Sequence, residues 1–418
     1  MLIEFQVSNF RSFRDRQTFS MVAGSYPEHR ETNTFDPKLP GFGRLVRSAA
    51  VYGANAAGKS NLLFALQFLQ QLVLTSAASE PLTSPPYNPF KLRKANRSEP
   101  SEFQVSFVQN EIRYEYGVSL DGSQIRDEWL MEYVNPRGRA IFERAYDEKK
   151  GRYNWKFSSF LKGRRTYWSE ATPANTLFLS RAVQLNSEQL LPVYEWFQKR
   201  LVIIAGISTL NPVLTIQLLN NPEGKARLLP FLREADLGIT GIDVNREPMS
   251  SGPRVIVGSP YIEQAPGSAT PSLVRITLSH ATGSKEKVGL DISEESAGTQ
   301  ALFRSAGAWL NVFSNGEVLL LDEIDTSLHP LLARFLIARF HSSASNPRNA
   351  QLIFTTHNTY FLDQELFRRD QIWFVDKGAD GASKVYPLTD FKPRNDEVLD
   401  RWYLRGRYGA LPVLGESQ

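Results

Sequence analysis

An α/β fold built on a mixed sheet is what this sequence predicts, and three observations predict it. A short apolar run, Ala49-Ala-Val-Tyr52, leads into Gly53-Ala-Asn55-Ala-Ala-Gly58-Lys59-Ser60 and then into Leu62, Ala65, Leu66, Leu69 and Leu72-Val73 at helical spacing. A second aliphatic run, Val318-Leu-Leu-Leu321, ends in Asp322-Glu323, and a third, Gln351-Leu-Ile-Phe354, ends in Thr-Thr-His357. Between the first and the others, from Phe103 to Phe157, apolar and polar residues alternate around turn signals, as in an antiparallel meander.

Strand, glycine-bearing loop and helix form the context in which the spacing G-x-x-x-x-G-K-[ST] binds phosphate. Gly53 and Gly58 let successive backbone N–H groups turn inward on phosphate oxygens, and the positive end of the following helix adds to that field. Lys59 is placed to reach the β- and γ-phosphates and the Ser60 hydroxyl to coordinate Mg²⁺. In isolation, an ordinary glycine-rich strand-to-helix turn reads the same way. The remainder of the chain therefore decides.

Taken in order, Leu2–Val7 alternates as a strand and runs into Asn9-Phe-Arg11-Ser12, where Arg11 by itself reads as a solvated loop residue. Residues 24–42 and 76–100 are rich in turn formers and read as loops. The meander follows, with Asp121-Gly122 as a hairpin signal ahead of a strand over Ile125–Tyr133. Near its end, the stretch from Lys156 to Trp168 mixes basic and aromatic residues. It reads either as a base-stacking, phosphate-neutralising surface or as a solvated sheet edge.

Ser187 to about Leu237 has helical periodicity broken at Asn211-Pro212 and Asn221-Pro222, and Glu247–Thr270 reads as a loop. No sustained heptads occur, so no long coiled coil is expected. Ser296-Ala-Gly298-Thr-Gln300 opens a helix and is a second potential anion site, or a plain capped helix start. In a parallel sheet, ligands gather beyond the carboxyl ends of strands. Asp322 then stands where a Mg²⁺ shell needs it, Glu323 where a water is polarised for attack on phosphorus, and His357 where a γ-phosphate is contacted. Pro330 suits the first turn of a helix, and Gln371–Val375 with Ser383–Tyr386 flank a hairpin turn.

The bulk composition narrows the classes. The chain has 418 residues, no cysteine and a formal charge of +4, so disulfides, thiolate metal sites and cysteine nucleophiles are excluded, while the charge permits but does not require a nucleic-acid partner. The N-terminus lacks a signal-peptide pattern, and uninterrupted apolar runs such as Leu201–Ala205 are too short to span a bilayer. A soluble, cytoplasmic protein without a membrane partner is expected.

Together, Asn9-Phe-Arg-Ser12, the phosphate loop, Ser296-Ala-Gly-Thr-Gln300, Leu321-Asp-Glu-Ile-Asp325, Ser327-Leu-His-Pro330 and Thr356-His357 resemble the motifs of ABC-type ATPases of the SMC, RecF and OLD kind. More closely, the chain is similar to AAA-family ATP/GTP phosphatases that serve as ATPase subunits of anti-phage systems, of PARIS or Rlo/AbiL type. The resemblance implies a P-loop NTPase of ABC-ATPase type that uses ATP and Mg²⁺. It has a mixed sheet, an antiparallel meander and an inserted helical lobe. It implies a nucleotide site formed by Arg11, Gly53, Asn55, Gly58, Lys59, Ser60 and Asn61 in one copy and by Ser296, Gly298 and Gln300 of another. Lys59, Glu323 and His357 are then catalytic, Ser60 and Asp322 hold the metal, and Gln184 is the candidate for the family's metal-proximal glutamine. The signature reads Ser296-Ala-Gly-Thr-Gln300 where transporters carry Leu-Ser-Gly-Gly-Gln.

The domains expected are an N-terminal ATPase lobe (1–186), a helical insertion (187–274), a C-terminal ATPase lobe (275–392) and a tail (393–418). By resemblance the function is a nucleotide-driven switch. It works as at least a head-to-head dimer that controls a separate effector, a TOPRIM-type nuclease, in response to a phage trigger protein. A RecF- or SMC-like DNA-repair ATPase that binds DNA and a nucleotide sensor without turnover are the alternatives.

Overall fold

The computed structural model describes residues 1–80, 83–134, 137–207, 210–235, 238–248, 261–263, 271–282, 286–326, 328–394 and 397–412. Ser327 and most of the loop expected over Glu247–Thr270 lie outside the described residues. The chain divides into two compact units, residues 1–203, 315–323 and 337–418 in one and 204–314 with 324–336 in the other.

The first unit holds two sheets. The larger has seven strands in the spatial order Arg152–Phe157, Arg139–Asp147, Ile125–Tyr133, Ile112–Leu120, Ser101–Gln109, Leu2–Ser8 and Gln17–Ser20. Every neighbouring pair in it is antiparallel. Its alternation has the usual cause: Phe103, Val105 and Phe107 are buried on one face while Glu102 and Gln104 point the other way.

The second sheet runs Leu201–Ile204, Val318–Leu321, Gln351–Thr355, Ser48–Tyr52, Ile372–Lys377, Ser383–Pro387. Its middle four strands are parallel and the last pair is an antiparallel hairpin. Val318–Leu321 and Ser48–Tyr52 are buried at every position, which is why these strands read as continuous apolar runs rather than alternating ones.

The helix Lys59–Thr75 places Leu62, Leu66, Leu69 and Val73 in a core cluster shared with both sheets. With its short extension to Ala78 this helix is long and apolar enough to cross a membrane by length and composition, a length the uninterrupted apolar runs did not suggest. Here its apolar face is committed to the core instead. A buried amide joins the two sheets: the Gln351 side chain accepts from the Leu2 amide at 2.7 Å and donates to the Leu2 carbonyl at 3.0 Å.

The helical reading of 187–274 needs correction at both ends. Its first residues belong to the first unit, because Trp196 stacks on Phe107 at 4.2 Å between ring centroids and Phe197 packs edge-on to Tyr116. Beyond the helices Val213–Leu218 and Pro222–Glu234, the chain is strand over Ile239–Pro248 and again over Ser272–Ala281, with which it pairs. A register shift between Ile239 and Gly241 spoils the period-two pattern there, so the strand is not legible from alternation.

In this second unit Ser272–Ala281 is central, with Ile239–Pro248 on one edge and Tyr261–Glu263 and Lys287–Asp291 on the other. The helix Ala297–Asn315 follows that sheet in the chain.

Candidate nucleotide site

The carboxyl edge of the parallel sheet carries the candidate site. Leu321 pairs with Phe354, and Thr355 with Val51. Adjacent strands lie about 4.8 Å apart, so the loops after Leu321, Thr355 and Tyr52 are neighbours, all within roughly 10 Å. Glycine is needed at Gly58: φ is +112° and a Cβ there would run into the hydroxyls of Ser12 and Ser383.

The Lys59 ammonium, almost buried, donates to the Gly53 carbonyl at 3.0 Å, the Ala54 carbonyl at 3.2 Å and His357 Nε2 at 2.9 Å. In the first turn of the helix, Asn61 donates to Ser12 Oγ at 2.8 Å and accepts from Arg11 at 3.3 Å. Arg11 has φ +50° and lies over the Phe64 ring at 4.7 Å. Asn55 is exposed on the loop and Ser60 is half-buried beside Lys59.

Beyond the neighbouring strand, Thr355 links the Asp322 carboxylate to the Glu323 backbone. Its hydroxyl donates to Asp322 Oδ1 at 2.5 Å and accepts the Glu323 amide at 2.8 Å. Glu323 has φ +51°, a left-handed conformation that costs a non-glycine residue free energy and recurs at functional sites. Thr355 was missed in the sequence, although its position at a strand end just before Thr356-His357 was a usable signal. Ser383, whose hydroxyl donates to the Ala57 carbonyl at 2.5 Å, left no signal at all.

Mg²⁺ keeps several waters and needs few protein oxygens. A serine hydroxyl on the phosphate loop and one carboxylate held by a hydroxyl donor make a set of that chemistry, so Ser60 and Asp322 fit the ion. Gln184, expected near the metal, does not fit that place. It is exposed and accepts from Arg181, on a helix whose Ser180 hydroxyl bonds the Val73 carbonyl at 2.6 Å. Val73 lies 14 residues along the helix from Lys59, or about 21 Å at 1.5 Å per residue. A Leu-Phe-Leu-Ser segment followed by glutamine gave no way to see which end of that helix it would meet.

Ser296, Gly298 and Gln300 lie together in the other unit, at the start of the helix Ala297–Asn315. Ser296 Oγ accepts the Thr299 amide at 3.2 Å and Gln300 donates to the Glu295 carbonyl at 2.9 Å. The site of Gly298 opens outward, since a Cβ there would meet only Ser296 Oγ at 3.9 Å. Upstream, His280 contacts Glu295 Oε1 at 2.6 Å.

A strand-loop-helix phosphate cradle faced by carboxylates and a histidine on neighbouring parallel strands defines a P-loop NTPase of ABC-ATPase type. The chain belongs to the family described as "AAA domain, putative AbiEii toxin, Type IV TA system", whose profile matches residues 48–363. None of the curated proteins compared with the chain matches it.

Similar solved structures include the SMC head domain from Thermotoga maritima, with 15% identity, 92% of this chain and 98% of that one covered and a TM-score of 0.39. They also include an Smc head domain with an extended coiled coil bound to the C-terminal domain of ScpA, derived from Pyrococcus furiosus. That pair has 13% identity, 94% and 97% coverage and a TM-score of 0.39.

Proposed function

We propose that the chain is the ATP-binding and ATP-hydrolysing switch subunit of a bacterial anti-phage defence system. What supports it above all is the placement of Lys59, His357, Asp322 and Glu323 on three adjacent loops at one sheet edge. The family's description by a toxin–antitoxin system is in keeping with a defence role and does not favour the DNA-repair alternative.

In this reading ATP lies in the loop of one copy, and Lys59 exchanges its carbonyl partners for phosphate oxygens. Ser60 and Asp322 would hold Mg²⁺, which would neutralise charge on the phosphates. Glu323 orients a water for in-line attack on the γ-phosphorus, and His357, released from Lys59, contacts that phosphate. Arg11, Asn55 and Asn61 border the nucleotide, and Ser296, Gly298 and Gln300 of a second copy close over it. The closed pair of heads restrains or releases a separate effector, a TOPRIM-type nuclease, on a trigger from the phage. The setting is cytoplasmic.

Phosphate release and sedimentation of Glu323→Gln test this. Loss of the water-orienting carboxylate is expected to lower turnover by roughly 100-fold or more and to leave an ATP-bound dimer. Near-normal turnover in that variant sinks the assignment, and a wild-type chain that binds ATP without releasing phosphate makes it a sensor.

A further inference from the structure

The stretch Lys156–Trp168 holds four cations, four aromatic rings and no carboxylate, and the nucleotide site uses none of it. The structure sorts these residues into anchors and presented groups. Leu161 and Trp168 are 3% and 4% exposed, whereas Phe160 and Tyr167 are 48% and 51% exposed. The intervening loop is built, not slack. The Lys162 amide is held by Gln189 at 2.9 Å, the Arg165 guanidinium by the Ser158 carbonyl at 2.9 Å, and the Phe160 amide by Ser158 Oγ at 3.2 Å.

Gly163, at φ +95°, lies so close over the Trp168 ring that a Cβ would overlap it. Lys162 and Arg164, on either side of Gly163, are exposed, and neither has a carboxylate partner among the described residues; the Lys162 ammonium reaches only the Ser159 carbonyl, at 3.4 Å. At the margin, the Arg139 guanidinium lies over the Phe160 ring at 4.3 Å while paired with Glu132, and Lys156 is paired with Glu143.

Two rings held open to solvent cost hydration free energy that a folded core would recover. Lys162 follows Phe160 by two residues and Arg164 precedes Tyr167 by three, which keeps these unpaired cations within reach of the same strand. Rings offer stacking faces to unpaired bases of any sequence, and adjacent cations neutralise the phosphates between them. A duplex buries its base faces and could use only the charges. From this arrangement we infer that the Phe160–Tyr167 surface binds single-stranded nucleic acid without sequence preference.

The test is fluorescence anisotropy of the full chain with a labelled oligothymidylate of about 20 nucleotides, and with the same length of duplex. It is run from about 50 to 200 mM salt. The single strand is expected to bind more tightly than the duplex. Phe160→Ala with Tyr167→Ala is expected to weaken it about tenfold or more with its salt slope unchanged. Lys162→Gln with Arg164→Gln is expected to weaken it and to make the slope of log K against log salt shallower by about 1.4.

All four positions are exposed or at a helix start, and a melting curve for each double variant checks that it is folded. The two pairs act through different physics, so either one suffices if the other misfolds. No binding, a duplex preference, or wild-type affinity in a folded ring variant each overturns the inference. ATP binding by the variants is measured alongside: unchanged ATP affinity is expected, and loss of ATP binding in the wild type itself would sink the ATPase reading and leave this one standing.

Discussion

Thr355→Val keeps the shape of a fully buried side chain and removes the hydroxyl that joins Asp322 to Glu323. The hydrogen bond to the carboxylate contributes about 1.5–3 kcal/mol and the one from the amide about 0.5–1.5, so a stability loss of about 2–4.5 kcal/mol is expected. The kinetic consequence is separate. Glu323 holds a left-handed backbone, and its amide is kept there by the Thr355 oxygen at 2.8 Å. Without that acceptor the residue relaxes toward an ordinary conformation and its carboxylate moves. A displacement of about 1 Å in a positioning group costs on the order of 100-fold in rate.

Urea unfolding reads the first effect, and steady-state phosphate release, with kcat and KM separated, reads the second. The loss is expected in kcat with KM for ATP little changed, because Lys59 and the phosphate loop are untouched. Thr355→Ser, which retains the hydroxyl, is expected to restore both. A valine variant with unchanged kcat, or a serine variant as slow as valine, refutes the proposed role of this bridge.

His341 is buried against Ser48, 2.7 Å from its hydroxyl, and burial first, then the nearby positive charge of Arg47 and then His29, lowers its pKa from 6.5 to about 3. The unfolded chain takes up this proton below about 6.5 while the folded chain refuses it, so the contribution to stability is full above 6.5 and is lost as pH falls. It amounts to about 2 kcal/mol by pH 5. His341→Phe is expected to flatten that part of the stability profile, and an unaltered slope would remove His341 as its source.

Glu128 and Arg144, both fully buried 3.7 Å apart, form a second test. Glu128 also accepts from the Tyr116 hydroxyl and the Phe178 and Leu179 amides, whereas the Arg144 guanidinium has no hydrogen-bond partner among the described residues and lies over the Tyr153 and Trp155 rings. Glu128→Leu is expected to cost about 3–5 kcal/mol in chemical denaturation and Arg144→Met distinctly less, and the reverse order would contradict this reading.

What could be read without coordinates was whatever depends on neighbours along the chain. Gly58-Lys59-Ser60 after Ala49–Tyr52 carries its own context, and Val318–Leu321 ending in Asp322-Glu323 shows by its unbroken apolarity that it is buried on both faces. Local spacing decides such features, because helix and strand periods and the conformational needs of glycine act over a few residues.

Partnership between distant residues needed the fold. Only the pairing of three parallel strands sets Thr355 between Asp322 and Glu323 and brings His357 to Lys59. The same holds for the correction at Gln184, which turns on which end of the helix Lys59–Thr75 receives Ser180. It holds too for Phe160 and Tyr167, exposed in a stretch whose Leu161 and Trp168 are buried. Burial and proximity are properties of packing, and nothing along the chain records which of two compatible surfaces a ring will meet.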